Sequence, residues 1–230
     1  MTLKLRLAFL GVVVCALIFA NASASRAGTI IKLNLGGTGP DVGMSAGGIL
    51  STVPDANVPP TTGDQNTAVE YTGFLDGTFA DINTAIASFT MSNLAATGAA
   101  QTFGSLVIQN FAGGSFNLYD PANALLLSGT LANSALTGVI GPPGTGGLFT
   151  TTFSSVSGGS LQSYIDPNSL TLSMNLSTVN GGNGFSVIAN VLQSFQADAA
   201  VNISAEVPEP ATIVLLLAAA AATLSLRRRA

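Results

Sequence analysis

From Leu170 to Ser177 the chain alternates without a break. Leu170, Leu172, Met174 and Leu176 are apolar, and Thr171, Ser173, Asn175 and Ser177 between them are small and polar. Successive side chains of an extended strand point to opposite sides, so a period of two gathers all the apolar groups on one face; on a helix they would scatter around the axis. The pattern recurs. Ala85, Ala87, Phe89 and Met91 alternate with Ile86, Ser88, Thr90 and Ser92, and Ile31, Leu33 and Leu35 alternate with Ile30, Lys32 and Asn34. Val69, Tyr71 and Gly73 alternate with Glu70 and Thr72. Such segments need a sheet with one face in a core and one in water.

Between these strands the chain is punctuated by glycine and proline. Ser105 to Phe111 and Ser115 to Tyr119 flank Ala112, Gly113 and Gly114, which reads as a hairpin. Leu125 to Ala132 and Ala135 to Ile140 continue the meander, Gly141 to Gly147 interrupts it, and Leu148 to Val156 resumes it. One helical turn is expected over Leu161 to Ile165. The final strands read as Phe185 to Ala189 and Leu192 to Ile203. The stretch from Gly36 to Asn66 is longer than most connections in a compact domain, so it hides a short strand near Ile49 to Val53 or is an exposed excursion. Many short strands with almost no helical periodicity predict an all-β fold, an antiparallel β-sandwich or jelly roll. Its edges lack the lysines that usually guard against strand pairing, which predicts self-association.

The two ends have a different character. Lys4 and Arg6 precede an apolar run from Leu7 to Ala20, followed by small residues, the pattern of a secretory signal helix. Ala22 and Ala24 suit a signal-peptidase cut before Ser25, and Ser25 and Ala27 suit one before Gly28 equally well. Cys15 follows Val14, where lipid attachment needs a small residue, so a lipoprotein reading is disfavoured. At the other end, Val207, Pro208, Glu209 and Pro210 precede an uncharged run from Ala211 to Leu226, which is followed by Arg227, Arg228 and Arg229. As a helix those residues span roughly 24 Å, a little short of a hydrocarbon core about 30 Å thick. The arginine stems can reach the head groups and close the gap. Arginines also stay on the cytoplasmic side, which places everything before Ala211 outside. The two prolines keep the VPEP stretch extended and outside the helix.

This arrangement of tripeptide, apolar helix and basic stop resembles the PEP-CTERM sorting signal recognised by exosortases. The resemblance implies a sorting motif at Val207, Pro208, Glu209 and Pro210, a cytoplasmic stop at Arg227, Arg228 and Arg229, and processing by an exosortase-type enzyme. A plain C-terminal membrane anchor is the alternative. The expected organisation is therefore a signal peptide over residues 1–27, an extracytoplasmic β-domain over 28–206 and a sorting signal with a transmembrane helix over 207–230.

The body offers little to chemistry. The chain has no histidine and a single cysteine, which lies in the signal segment, so the common nucleophile–base pairs, zinc sites and disulfides are missing from the exported part. From Gly28 to Glu206 ten carboxylates face one lysine, Lys32, a net charge of about −9 that excludes nucleic acid as a partner. A Ser–Lys dyad would have to use Lys32, and no serine is marked as its partner. Two carboxylates such as Asp120 and Asp166 could in principle serve a glycosidase, but the chain has no tryptophan and three tyrosines for stacking sugars. Calcium has two weak candidate sets, Asp64, Asn66 and Glu70, or Asp76, Asp81 and Asn83. Neither has EF-hand spacing, and turn-favouring residues explain both. The expectation is a non-enzymatic protein of the cell envelope, surface or extracellular matrix that needs no cofactor. Its partners would be the processing enzymes, the membrane before processing, and exopolysaccharide or a second copy. A glycan- or calcium-binding module is the alternative, followed by a carboxylate glycosidase.

Overall fold

A computed structural model describes residues 27–36, 39–54, 64–82, 86–143, 146–166 and 168–206. They fall in one compact unit, Ala27–Glu206. The expected signal helix, Cys15, the VPEP motif, the transmembrane helix and the arginine stop lie outside the described residues. Among the described residues no helix is long and apolar enough to cross a membrane.

The regular structure of the described body is strand apart from short 3-10 turns. In chain order the strands are β1 (Ala27–Asn34), β2 (Val42–Met44), β3 (Ile49–Thr52), β4 (Asp64–Tyr71), β5 (Ile86–Ser92), β6 (Leu94–Phe103) and β7 (Leu106–Ala112). They continue as β8 (Ser115–Tyr119), β9 (Leu125–Val139), β10 (Gly146–Gly158), β11 (Thr171–Ser177), β12 (Val187–Ile188), β13 (Val191–Leu192) and β14 (Phe195–Glu206). Every pairing between these strands is antiparallel. The expected helical turn is a 3-10 turn at Gln162–Tyr164. The long stretch after Gly36 holds two strands, β2 and β3, where one was expected.

Two long strands organise the sheet by forking. Along one edge, β9 pairs first with β8, over Leu125 to Thr130, and then with β7, over Ser134 to Val139. In the same way β14 pairs with β2 over Phe195 to Ala197 and with β1 over Ala200 to Glu206. Three routes therefore connect β9 to β14: β8–β5–β4–β1, β7–β6–β3–β2, and β10–β11. This closed, antiparallel arrangement is consistent with a sandwich, and it leaves each of the twelve strands with a partner on both sides. The forks give every end strand a neighbour, but β3 meets β6 only through Ile49–Ala95 and Leu50–Leu94, so among the described residues the rest of β6 runs on without a sheet partner on that side.

Alternation decides which faces are buried. Leu172, Met174 and Leu176 are buried while Thr171, Asn175 and Ser177 are exposed. The first two routes also touch where Thr52 of β3 donates its hydroxyl to the Met91 carbonyl of β5 at 3.2 Å and accepts the Met91 N–H at 3.2 Å. Phe116 packs on Phe89 and Phe153, with ring centres 5.4 Å apart in both pairs, and Phe111 meets Phe149 at 6.2 Å. Burying these rings is the largest apolar contribution the sequence has to offer.

Three local readings are corrected. Ile30, expected on the outer face, is buried beside Ile31 because the β1–β14 register skips between Thr29 and Ile31. Such a bulge turns two successive side chains inward; Thr72 clamps it, its N–H bonding to the Ile30 carbonyl at 2.9 Å and its hydroxyl to the Thr29 carbonyl. The expected hairpin around Ala112, Gly113 and Gly114 does not form. Both glycines have positive φ, +69° and +107°, and turn the chain from one route to the other, so that β7 and β8 lie end to end along β9. Finally, β6 was not expected at all. Its LAATGAAQTF sequence carries little hydrophobic contrast, and a bulge between Thr97 and Gln101 erases what alternation it has.

Candidate functional site

The tail leaves the body at a defined place. Ala27 and Glu206 are register partners at the ends of β1 and β14, so the segments before and after the body are joined to it side by side. Nearby, Tyr71 at the end of β4 is buried and stacks on Phe79 at 5.1 Å, which in turn meets Tyr164 edge-on at 5.7 Å. Burial, and secondarily the Asp120 carboxylate, push the Tyr71 phenol well above its ordinary range.

The body's carboxylates mostly serve the fold. Glu70 bonds to Lys32 at 3.1 Å across the β1–β4 pair, both side chains being about half exposed. Asp120 accepts the Ala124 N–H at 2.7 Å and so closes its own turn. Asp166 accepts the Asn168 N–H at 2.9 Å in the same manner. Asp76 and Asp81 are exposed, in and beside short 3-10 turns. The side chains of Asp64 and Asn66, and all of Asn83, lie outside the described residues. Among the described residues no group of three or more acidic, histidine or cysteine side chains is placed to hold a metal.

Sequence reading missed the role of Asp41. This residue is 4% exposed, and its Oδ2 accepts the Ala199 N–H at 2.6 Å. Ala199 lies between the β2-paired and β1-paired parts of β14, where neither strand reaches. A side-chain acceptor therefore replaces the missing ladder carbonyl at the fork. Nothing in the local sequence signals it, because the need arises from a pairing 158 residues away.

The other unforeseen feature is a groove of about 750 Å³ across β6, β7, β9, β10 and β11. Register places Thr97, Asn110, Ala135, Thr150 and Ser173 in one row across those five strands, and Thr152 beside Thr171 in a second. No charged residue lines it.

Compared with known proteins, the chain matches one family description, the PEP-CTERM protein-sorting motif, over residues 206–229, which is 24 of its 230 residues. No curated protein and no solved structure matches it. The C-terminus is thus a PEP-CTERM sorting signal, the mark of an exported protein handled by an exosortase.

Proposed function

We infer that the chain is an exosortase substrate whose body is a non-catalytic surface domain, delivered to the cell envelope or extracellular matrix through residues 207–230. The observation that carries this reading is the order of the tail: VPEP, an uncharged apolar run, then three arginines, coinciding with the matched sorting motif. The body supports it in two ways. Its two junctions lie side by side, so cutting at either leaves the sheet whole. Glu70, Asp120 and Asp166 are engaged in an ion pair and two turns, and Asp41, which lines a second groove with Asp198, is held at the fork by the Ala199 N–H. The role asks for no cofactor; its partners are signal peptidase, an exosortase-type enzyme and, before processing, the membrane.

Replacing Arg227, Arg228 and Arg229 by alanine tests the orientation. The positive stop holds the C-terminal end on the cytoplasmic side, so the variant should lose envelope retention and give a mixed orientation, read by protease access to the body in spheroplasts. A variant that stays in the envelope with its body uniformly outside would contradict the reading.

A further inference from the structure

We propose that the groove across β6, β7, β9, β10 and β11 binds a neutral, hydroxyl-rich glycan chain. Five adjacent strands at about 4.8 Å make it roughly 19 Å long, the scale of an oligosaccharide and not of a single sugar. Its polar lining consists of hydroxyls and amides, which both donate and accept hydrogen bonds, as sugar hydroxyls do. Thr methyl groups, Ala112 and Ala135 supply small apolar contacts between them.

Two further observations single out this face. The side chains of Thr97, Asn110, Asn133, Thr150, Thr152 and Ser173 make no hydrogen bond to another described residue, so they are available to a ligand. On the β5–β8–β9–β10 surface the same residue types are consumed by one another. There Asn117 donates to Thr90 at 3.4 Å and accepts from Ser128 at 2.8 Å, Ser157 bonds to Ser128 at 3.3 Å, and Ser92 bonds to Ser115 at 3.0 Å. Charge then selects the ligand. The groove holds no cation to pair with a uronate, sulfate or phosphate, and the body around it is strongly acidic, so an anionic polymer is repelled. A neutral chain meets neither obstacle.

No exposed aromatic ring lines the groove, so binding rests on hydrogen bonds and is weak per copy. Many copies arrayed on one surface gain avidity against a repeating polymer. This inference takes its setting from the reading of the body as a surface domain. Binding is measured on the purified chain, so its failure leaves the sorting tail standing, and failed sorting leaves the binding result intact.

The test is saturation-transfer NMR on the full chain in a zwitterionic, sugar-free detergent, with cellohexaose, maltohexaose and xylohexaose as neutral probes and hexagalacturonate as the acidic one. Transfer to at least one neutral hexasaccharide is expected, with none to hexagalacturonate. Asn110→Ala combined with Thr150→Val removes two neutral hydrogen bonds and should weaken binding about tenfold or more. Ser173→Ala alone should weaken it by a smaller factor, which keeps the test decisive should the double variant unfold. Absence of transfer to all three neutral probes, equal transfer to hexagalacturonate, or binding unchanged in folded variants would overturn the proposal.

Discussion

Replacing Asp41 by alanine tests whether the fork in β14 depends on a side chain. The Ala199 N–H is buried, and the carboxylate at 2.6 Å is the acceptor the fold provides for it. Losing a charge-assisted bond while the donor stays buried costs about 1.5–3 kcal/mol. The backbone bonds of Asp41, its N–H to Ala197 at 3.0 Å and its carbonyl to Val53 at 2.8 Å, survive the substitution and keep the loss local. For a domain of this size each kcal/mol lowers Tm by roughly 2–4 °C, so Asp41→Ala should lower it by about 3–12 °C. Asp41→Asn keeps an oxygen in place without the charge and should fall in between. Thermal and urea unfolding followed by far-UV circular dichroism reads this directly, with an unchanged urea slope showing that the unfolding unit is the same. Faster hydrogen exchange at the Ala199 amide should accompany it. A Tm within 1 °C of wild type for Asp41→Ala would refute the argument that the fork needs this acceptor.

Two other perturbations follow from the packing. A Cβ at Gly138 would stand 2.1 Å from Cε2 of Phe185, a buried ring already held edge-on against Phe195 at 4.8 Å, so Gly138→Ala should destabilise by about 1–3 kcal/mol. Combining it with Phe185→Leu should add less than the two separate losses, and strict additivity of the melting shifts would show that the ring is not the obstacle. Tyr71 predicts an alkaline limit. The unfolded phenol ionises near pH 10, while the folded one is pushed well above that by burial and then Asp120. Above about pH 10 the fold therefore holds a proton that the unfolded chain has lost. Stability is fully present below that pH and falls by about 1.4 kcal/mol per unit above it, until the folded group ionises. Tyr71→Phe should flatten this decline, and equally steep melting profiles for both proteins between pH 9 and 11 would count against it.

Where the hydrophobic period is strong, the structure was legible from the residues. β11 and β5 are strands because their apolar side chains share a face, and no knowledge of their partners was needed. β6 was invisible because alanine, threonine and glycine carry no such contrast, and its bulge breaks the period. The Gly113–Gly114 pair marked a turn correctly but could not say between which partners, since a fork and a hairpin need the same local backbone. Asp41 and the groove are legible only from register: one depends on the meeting of β2, β1 and β14, the other on a row of residues drawn from five strands. The tail is the reverse case. Its function rests on the order of local features along the chain, so residues alone disclosed it.

The most direct test of the account is the intact mass of the mature protein, measured for wild type and for a variant with Pro208, Glu209 and Pro210 all replaced by alanine, in cells that contain an exosortase. Proline disfavours helix and restricts the residue before it to extended backbone, and the variant removes both that constraint and the motif. Wild type should have lost the run that ends at Leu226, together with Arg227 to Arg229, while the variant retains them. Masses that differ only by the three substitutions, with both proteins still carrying Leu226, would contradict processing at the motif and leave a simple membrane anchor in its place.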